Sequence, residues 1–283
     1  MGRHWRRPTP RRCANLPSSS RRSTSRRLDD AVADQADITR SQARSLILEG
    51  RVSVEGSPAT KAGQSVAREA RIAIEQPRRF VSRGGEKLDH ALAAFAIEVR
   101  GAMALDVGAS TGGFTDCLLQ RGAASVTALD VGYGQLDWRL RNDPRVVVIE
   151  RTNFRRLPND AFPGGFDLIA IDASFISLRT ILERAVQYLR EGGTIVALAK
   201  PQFEAGRERL GAGGVVRERE THRAVLQELR EAALRLGLVP VALSRSALRG
   251  PAGNREFFML LRRTGEPFED ARIERVLDET PES

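Results

Sequence analysis

Between Ala104 and Phe114 the chain reads ALDVGASTGGF, and few folds accommodate that order of residue types. A short apolar run through Ala102, Met103, Ala104, Leu105 and Val107 predicts a buried strand that Gly108 stops. Gly112 and Gly113 lack a Cβ, so the backbone can turn tightly there and approach a ligand closely. Phe114, Cys117, Leu118 and Leu119 then recur at helical spacing. The unit is therefore strand, glycine turn and helix, a junction that offers a helix N-terminus and free backbone N–H groups to a nucleotide-like ligand. A second apolar run, Ser125–Val131, ends on Asp130, where an acid about 20 residues past the glycines holds ribose hydroxyls in this architecture. The glycines are not spaced as in the dinucleotide GxGxxG pattern, and the GxxxxGK[ST] of a nucleoside triphosphate site is missing. S-adenosylmethionine is the common ligand of such a βαβ start that remains, so a methyltransferase core is the leading reading.

The rest of the chain supports an α/β domain with a small companion. Strands are expected at 102–107, 125–131, 146–150, 166–172 and 194–199, alternating with helices as in a doubly wound sheet. A helix over Leu178–Arg190 is expected to end at Gly192–Gly193, and a longer one runs from about Thr221 to Leu236. Leu238–Ser244 and Glu256–Leu261 form a final adjacent pair of strands. Seven strands closed by such a pair are the arrangement of class I, Rossmann-like methyltransferases. The segment Phe203–Glu220 has no apolar periodicity and is either a mobile substrate loop or an insertion.

Charge is unevenly distributed. The net +9 resides in residues 1–27, which hold nine arginines and no acid, and residues 28–283 balance. The segment from Glu266 to Ser283 carries seven acids against two arginines and is expected to be an acidic tail over 264–283. Residues 1–27 are expected to be a disordered basic tail, with three readings open: an RNA-clinging arm, an organellar leader, or a mis-chosen start. No apolar run approaches the ~20 residues that span a bilayer. Cys13 and Cys117 form neither a disulfide framework nor a metal site, which suggests a reducing, cytoplasmic setting.

Residues 28–76 read as a separate unit: a helix opening at Leu28, a second one capped by Thr39 or Ser41, then short strands at Arg51–Glu55 and Ala70–Glu75. On the second helix Ala43, Leu46, Ile47 and Leu48 are expected to face the core. The text TRSQARSLILEGRVSVEG resembles the S4 RNA-binding domain. The resemblance implies that Arg40 and Arg44, with Arg51 after them, grip structured RNA, which suits shape-reading of a folded RNA. Residues 77–82 are expected to be a linker, and 83–263 the methyltransferase domain.

Four charged side chains map near the C-terminal ends of the strands, where ligands gather in an open α/β sheet. They are Lys87 in SRGGEKL, Asp172 in IDASF, Lys200 in AKPQF and Glu256 in GNREFF. Each alone is better explained as a cap, a snorkelling lysine or an exposed charge. Asp172 and Lys200 stand out because each directly follows an apolar strand, where a buried charge is costly unless paired. Taken together with LDVGASTGGF and GPAGNREFF, these motifs resemble the TlyA family from about Leu28 to Arg263. That family is named for hemolysins and comprises ribosomal RNA cytidine 2′-O-methyltransferases; the core more loosely resembles FtsJ-type enzymes with the same Lys–Asp–Lys–Glu order.

The resemblance implies S-adenosylmethionine as cofactor, ribosomal RNA or ribosomal subunits as partner, and no metal or membrane. It implies a catalytic set of Lys87, Asp172, Lys200 and Glu256. Lys200 is the candidate base or steering group, Lys87 the candidate source of nearby positive charge, and the two acids hold the lysines. A lysine accepts a proton only where burial or positive charge makes its neutral form accessible. Gly108, Ser110, Gly112, Gly113 and Phe114 are expected to line the methionine end, and Asp130 to bind the ribose hydroxyls. Asn153 stands where relatives often have an acid facing the adenine amino group, and its amide oxygen can accept the same hydrogen bond. Two other functions are weighed: an RNA-binding assembly factor without activity, and a membrane-active hemolysin.

Overall fold

The computed structural model describes residues 25–75 and 79–279, and the expectations for residues 1–24, 76–78 and 280–283 lie outside them. The chain divides into two compact units, one reaching Pro77 and one starting at Arg78.

In the first unit β1 (Ser25–Arg27) leads into α1 (Leu28–Ala36) and α2 (Arg40–Leu48), followed by β2 (Val52–Val54), β3 (Ser57–Pro58), β4 (Ser65–Ala67) and β5 (Ile72–Ile74). The α2 boundary is set by a capping box. The Thr39 hydroxyl accepts from the Gln42 N–H while the Gln42 side chain accepts from the Thr39 N–H. β2 pairs antiparallel with both β3 and β5, and Leu28, Val32, Ala43, Ile47, Val52 and Ile72 close a small core beneath the helices. Two expectations are corrected. Ser25–Arg27 belongs to the fold and not to a disordered tail, because its backbone pairs with β4. Leu48 is exposed, since the face of α2 that packs on the core runs through Ala43 and Ile47 and the next residue turns away from it.

The second unit contains, in order, α3 (Arg83–Ala94), β6 (Met103–Val107), α4 (Gly113–Gln120), β7 (Ser125–Leu129), α5 (Trp138–Arg141), β8 (Val146–Ile149), β9 (Phe166–Ile171), α6 (Leu178–Tyr188), β10 (Leu189–Ala199), α7 (Pro201–Glu204), α8 (Arg219–Arg235), β11 (Val239–Arg245), β12 (Phe257–Arg262) and α9 (Asp270–Asp278). The seven strands lie in the order β11-β12-β10-β9-β6-β7-β8. Only β12 runs antiparallel, inserted between β10 and β11, as expected of a class I methyltransferase. β6 is flanked by β7 on one side and β9 on the other, so the strand order reverses there. That reversal opens a crevice at the C-terminal strand ends.

The strands are buried on both faces, which accounts for their nearly continuous apolar text. Leu182, Val225, Leu229 and Ile273 from α6, α8 and α9 cover one face, while Leu88 and Leu92 of α3 and Leu118 of α4 cover the other.

Four boundaries differ from the sequence reading. Residues 79–82 are not a free linker: Phe80 is buried and the Val81 N–H donates to Asp116 Oδ2 at 2.8 Å. α6 ends at Tyr188 and not at Arg190, because β10 already begins at Leu189, and Gly192–Gly193 lie in a register break of that strand. Phe203–Glu220 is not without secondary structure: it holds the end of α7, short helical turns at Arg207–Arg209 and Ala212–Gly214, and the start of α8. The acidic tail folds as well. α9 buries Ile273, Val276 and Leu277, and its Glu274 pairs with Arg219 and Arg223 of α8. Of the acids that suggested a tail, Asp270, Glu274 and Asp278 lie on the outer face of this amphipathic helix.

If α9 belongs to the core, Ile273→Ala will leave a cavity and lower stability by about 2–4 kcal/mol in urea unfolding. A change within error would place the helix outside the folded unit.

Candidate active site

Both faces of the crevice are built by loops that leave the strand ends. Gly108 ends β6 with φ +89°, and a Cβ there would lie 2.7 Å from the Asp172 carbonyl oxygen. Glycine is required for the β6 and β9 ends to meet this closely. The Asp172 N–H in turn donates to the Val107 carbonyl at 2.9 Å. Asp172 and Lys200 are the first residues after β9 and β10, and Glu256 is the last before β12. Lys87 lies in the second turn of α3, buried and not solvent-facing.

The four charged residues line one cavity of about 620 Å³. Lys87 Nζ donates to Glu256 Oε2 at 2.6 Å, across a separation of 169 residues. Lys200 Nζ lies 2.5 Å from Asp172 Oδ1 and donates to Ser174 Oγ at 2.8 Å. The Glu256 side chain is fully buried, and Gln202 Nε2 also donates to it, at 3.4 Å. Each lysine thus has its own carboxylate, so Lys87 carries its charge against Glu256 and is not an uncompensated cation. Without those carboxylates, burying either ammonium would cost several kcal/mol.

A second cavity of about 560 Å³ adjoins the first, lined by Asp130, Gln135 and Asn153 among others. Gly108, Ser110, Asp172, Ser174 and Phe175 line both. Asp130 Oδ2 accepts from the Ser110 N–H at 2.8 Å and its Oδ1 from the Gly132 N–H at 2.6 Å, fixing the carboxylate with lone pairs still available. Asn153 Oδ1 accepts from the Arg155 N–H at 3.1 Å and caps the helical turn Phe154–Arg156. Gly113 and Phe114 line the first cavity, and Phe114 stacks on Phe258 with centroids 6.1 Å apart. Gly112 lines neither cavity; it has φ +95°, and a Cβ would strike Leu140 Cδ1 at 2.3 Å, so it serves the packing of the turn.

Several lining residues escaped the sequence reading. Ser174 holds Lys200, and Phe175, at φ +63°, places its ring 5.1 Å from that of Phe203. Arg83 donates to the Arg249 carbonyl at 3.1 Å, and both line the larger cavity. Glu204 of α7 accepts from the Leu178 N–H at 2.6 Å and from Ser177 Oγ at 2.7 Å. It thereby ties the segment after Lys200 to the loop that carries Asp172. Burial pushes its carboxyl above the usual range. The clue available in the sequence was that Ser174, Phe175, Phe203 and Glu204 all fall in the two motifs that supplied Asp172 and Lys200.

Asp106 is the other omission. It lies fully buried on β6 and accepts from Thr115 Oγ1 at 2.6 Å, and burial first, then the negative charge of Asp172, pushes its carboxyl up to about 7.

In the first unit Asp29 is fully buried at its side chain and gathers three guanidinium groups. Arg27 is bidentate at 3.0 and 2.9 Å, and Arg40 and Arg44 each lie 3.1 Å from Oδ2. Arg27 first, against the cost of burial, holds that carboxyl well below the usual range. Arg40 also lies 3.1 Å from Asp30 Oδ1, and the three arginines remain about half exposed, so this cluster presents three cations to solvent. Arg51 does not join them. Its Nε and Nη2 donate to the Glu75 carbonyl at 3.2 and 2.6 Å, which is a structural use.

Comparison with known proteins agrees with this architecture. A family model for FtsJ-like methyltransferases matches residues 80–263, and one for the S4 domain matches residues 26–72. The 16S/23S rRNA (cytidine-2′-O)-methyltransferase TlyA of Mycobacterium tuberculosis is 46% identical over 251 residues, 86% of this chain and 93% of the relative. Hemolysin A of Brachyspira hyodysenteriae is 39% identical over 233 residues, 82% of this chain and 97% of the relative. A solved structure of a hemolysin-named protein from Streptococcus thermophilus superposes with a TM-score of 0.69 at 40% identity, covering 90% of this chain and 94% of that one.

The setting of Asp106 has a measurable consequence. A carboxyl in the unfolded chain ionises near pH ~4, whereas the folded one holds its proton to about 7. Over that interval the unfolded state releases the proton first, so this residue lowers stability as pH rises, and it contributes no such penalty below pH ~4. The urea midpoint of the unmodified protein should therefore fall further between about pH 5 and pH 8 than that of Asp106→Asn. A constant difference between the two would show that Asp106 titrates normally.

Proposed function

The chain belongs to the FtsJ-like methyltransferases, in the TlyA family whose members carry an S4 domain ahead of the transferase fold, and on that premise we propose that it methylates the 2′-hydroxyl of cytidine in ribosomal RNA with S-adenosylmethionine as donor. One observation carries the reading: the two lysine–carboxylate pairs, distant in sequence, line a single cavity that shares a wall with the cavity of Asp130.

The donor set fits S-adenosylmethionine. Asp130 is a fixed acceptor for ribose hydroxyls, Asn153 and Gln135 offer amides, and the Gly108–Ser110 turn forms the wall between the two cavities. Ser110, Gly113 and Phe114 would hold the methionine end. When bound, the cofactor supplies an electrophilic methyl on a sulfonium centre.

The protein's own residues must then orient a ribose hydroxyl and remove its proton. Lys200, anchored by Asp172 and Ser174, is the group that meets the hydroxyl. The hydroxyl proton would pass to the Lys200–Asp172 pair as the oxygen takes the methyl, the sulfur–methyl bond breaking in the same displacement to leave a neutral thioether. Lys87 and Glu256, reinforced by Gln202, fix the opposite side of the larger cavity and keep its charge balanced. In the first unit the Arg27–Arg40–Arg44 cluster is suited to phosphates of structured RNA. Hemolysin-named relatives do not favour a membrane reading here: among the described residues no helix is long and apolar enough to cross a membrane.

With labelled S-adenosylmethionine and ribosomal subunits or naked rRNA, methyl incorporation should map to cytidine 2′-oxygens. Lys200→Ala and Asp172→Ala should each lower the rate by about 100-fold or more while retaining cofactor binding. Undiminished transfer in both variants would remove the pair from the chemistry. Cofactor binding without transfer to any RNA would favour an assembly factor.

The arginine cluster makes a separable claim. Arg40→Ala combined with Arg44→Ala should weaken RNA binding and reduce its salt slope by about 1–2, with cofactor affinity unchanged. Equal RNA affinity would end the docking role.

A further inference from the structure

Three large apolar side chains stand in solvent between the end of β7 and the first residue of α5. Val131 is 69%, Tyr133 64% and Trp138 75% exposed. Val131 borders the smaller cavity, whereas Tyr133 and Trp138 line neither cavity, so neither ligand site as described accounts for the two aromatic rings. They do not belong to an unstructured excursion. Gln135 and Asp137 between them bond to the glycine turn: Ser110 Oγ donates to Gln135 Oε1 at 3.3 Å, and the Asp137 N–H donates to the Thr111 carbonyl at 3.1 Å.

The loop is also fastened to the turn after β8. The Gly134 N–H donates to Glu150 Oε1 at 2.9 Å, the Arg151 N–H donates to the Gly132 carbonyl at 2.9 Å, and Arg141 pairs with Glu150 at 2.5 Å. The two segments therefore form one rigid surface beside the Asp130–Asn153 cavity.

Its charge has one sign. Asp137 is taken by Arg139 and Glu150 by Arg141. Arg151, Arg155 and Arg156 make no ion pair among the described residues, and all three are exposed, Arg155 at the rim of the smaller cavity. The Arg151 guanidinium lies over the Tyr133 ring, 3.9 Å from its centroid. That is a preformed aromatic–cation stack, and both groups retain exposed surface.

Exposed aromatic rings set among unpaired arginines match the two needs of unpaired nucleotides, a flat surface for the base and a cation for the phosphate. A ribosomal protein segment rich in acids would satisfy the charge but would make no use of an open planar stack. Resting on the function proposed above, we infer that the Val131–Trp138 loop and the Glu150–Arg156 turn form a stacking surface for unpaired nucleotides of the RNA substrate. Tyr133 and Trp138 are the base platforms, and Arg151, Arg155 and Arg156 are the phosphate contacts.

The test uses the full chain and an rRNA transcript that it methylates. Tyr133→Ala and Trp138→Ala should each weaken RNA affinity about tenfold and raise KM for RNA in proportion, with S-adenosylmethionine affinity by calorimetry unchanged. Tyr133→Phe and Trp138→Phe keep the ring and should retain most of the affinity, which separates stacking from damage to the loop. Trp5 and Trp138 are the two tryptophans, so emission quenched by RNA in the unmodified protein and not in Trp138→Phe reports the contact directly. RNA affinity within about twofold for both alanine variants would overturn the inference. So would unchanged affinity for naked RNA with weakened binding to intact subunits, which would assign the surface to a ribosomal protein. If the unmodified chain methylates no rRNA, it is the proposed function that fails, and the two failures are told apart by that first measurement.

Discussion

Lys87 Nζ and Glu256 Oε2 meet at 2.6 Å with the glutamate fully buried, and this contact joins the first helix of the second unit to the loop before its last strand. Neither charge could be buried alone without a penalty of several kcal/mol, so the pair forms only when α3 and the strand insertion of β12 are both in place. Lys200 and Asp172 repeat the arrangement between neighbouring strand ends. The site is therefore assembled by folding of the whole sheet, and its geometry is as rigid as the sheet that carries it. Ser174, Gln202 and Glu204 reinforce it with hydrogen bonds that cross between the same loops.

The shared wall between the two cavities brings the glycine turn and the charged set to one crevice. Gly108 lets β6 and β9 end in contact, and this places Asp172 on the boundary between them. A ligand held by Asp130 and a second one held against Lys200 would meet across that boundary. Proximity of this kind, and not an unusual functional group, is what methyl transfer to a hydroxyl demands of a protein. In the first unit the buried Asp29 orients three arginines, with Asp30 also on Arg40, so their positive charge is ordered and only partly offset.

Much of this was legible along the chain, and particular residues show why the rest was not. Asp172 and Lys200 were conspicuous because each follows an apolar strand directly. Lys87 looked like an ordinary helix lysine until its partner 169 residues away was in view. Arg51 and Arg44 are indistinguishable as text, yet one donates to a backbone carbonyl and the other helps form the exposed cluster. The acids after Glu266 suggested a solvated tail because their arginine partners lie on α8, far upstream in sequence. Phe175 carries a positive φ that no residue type announces.

The sequence by itself determined the alternation of strands and helices, the glycine turn, the acid at the end of the second strand and the division into two units. These depend on residue periodicity and on backbone sterics, which act over a few neighbours. Only the tertiary structure decided which charges pair, which glycines line a cavity and which face Leu140, and whether an acidic segment folds. Those outcomes depend on desolvation and on contacts between residues far apart in the chain, and local text does not encode the distance between them.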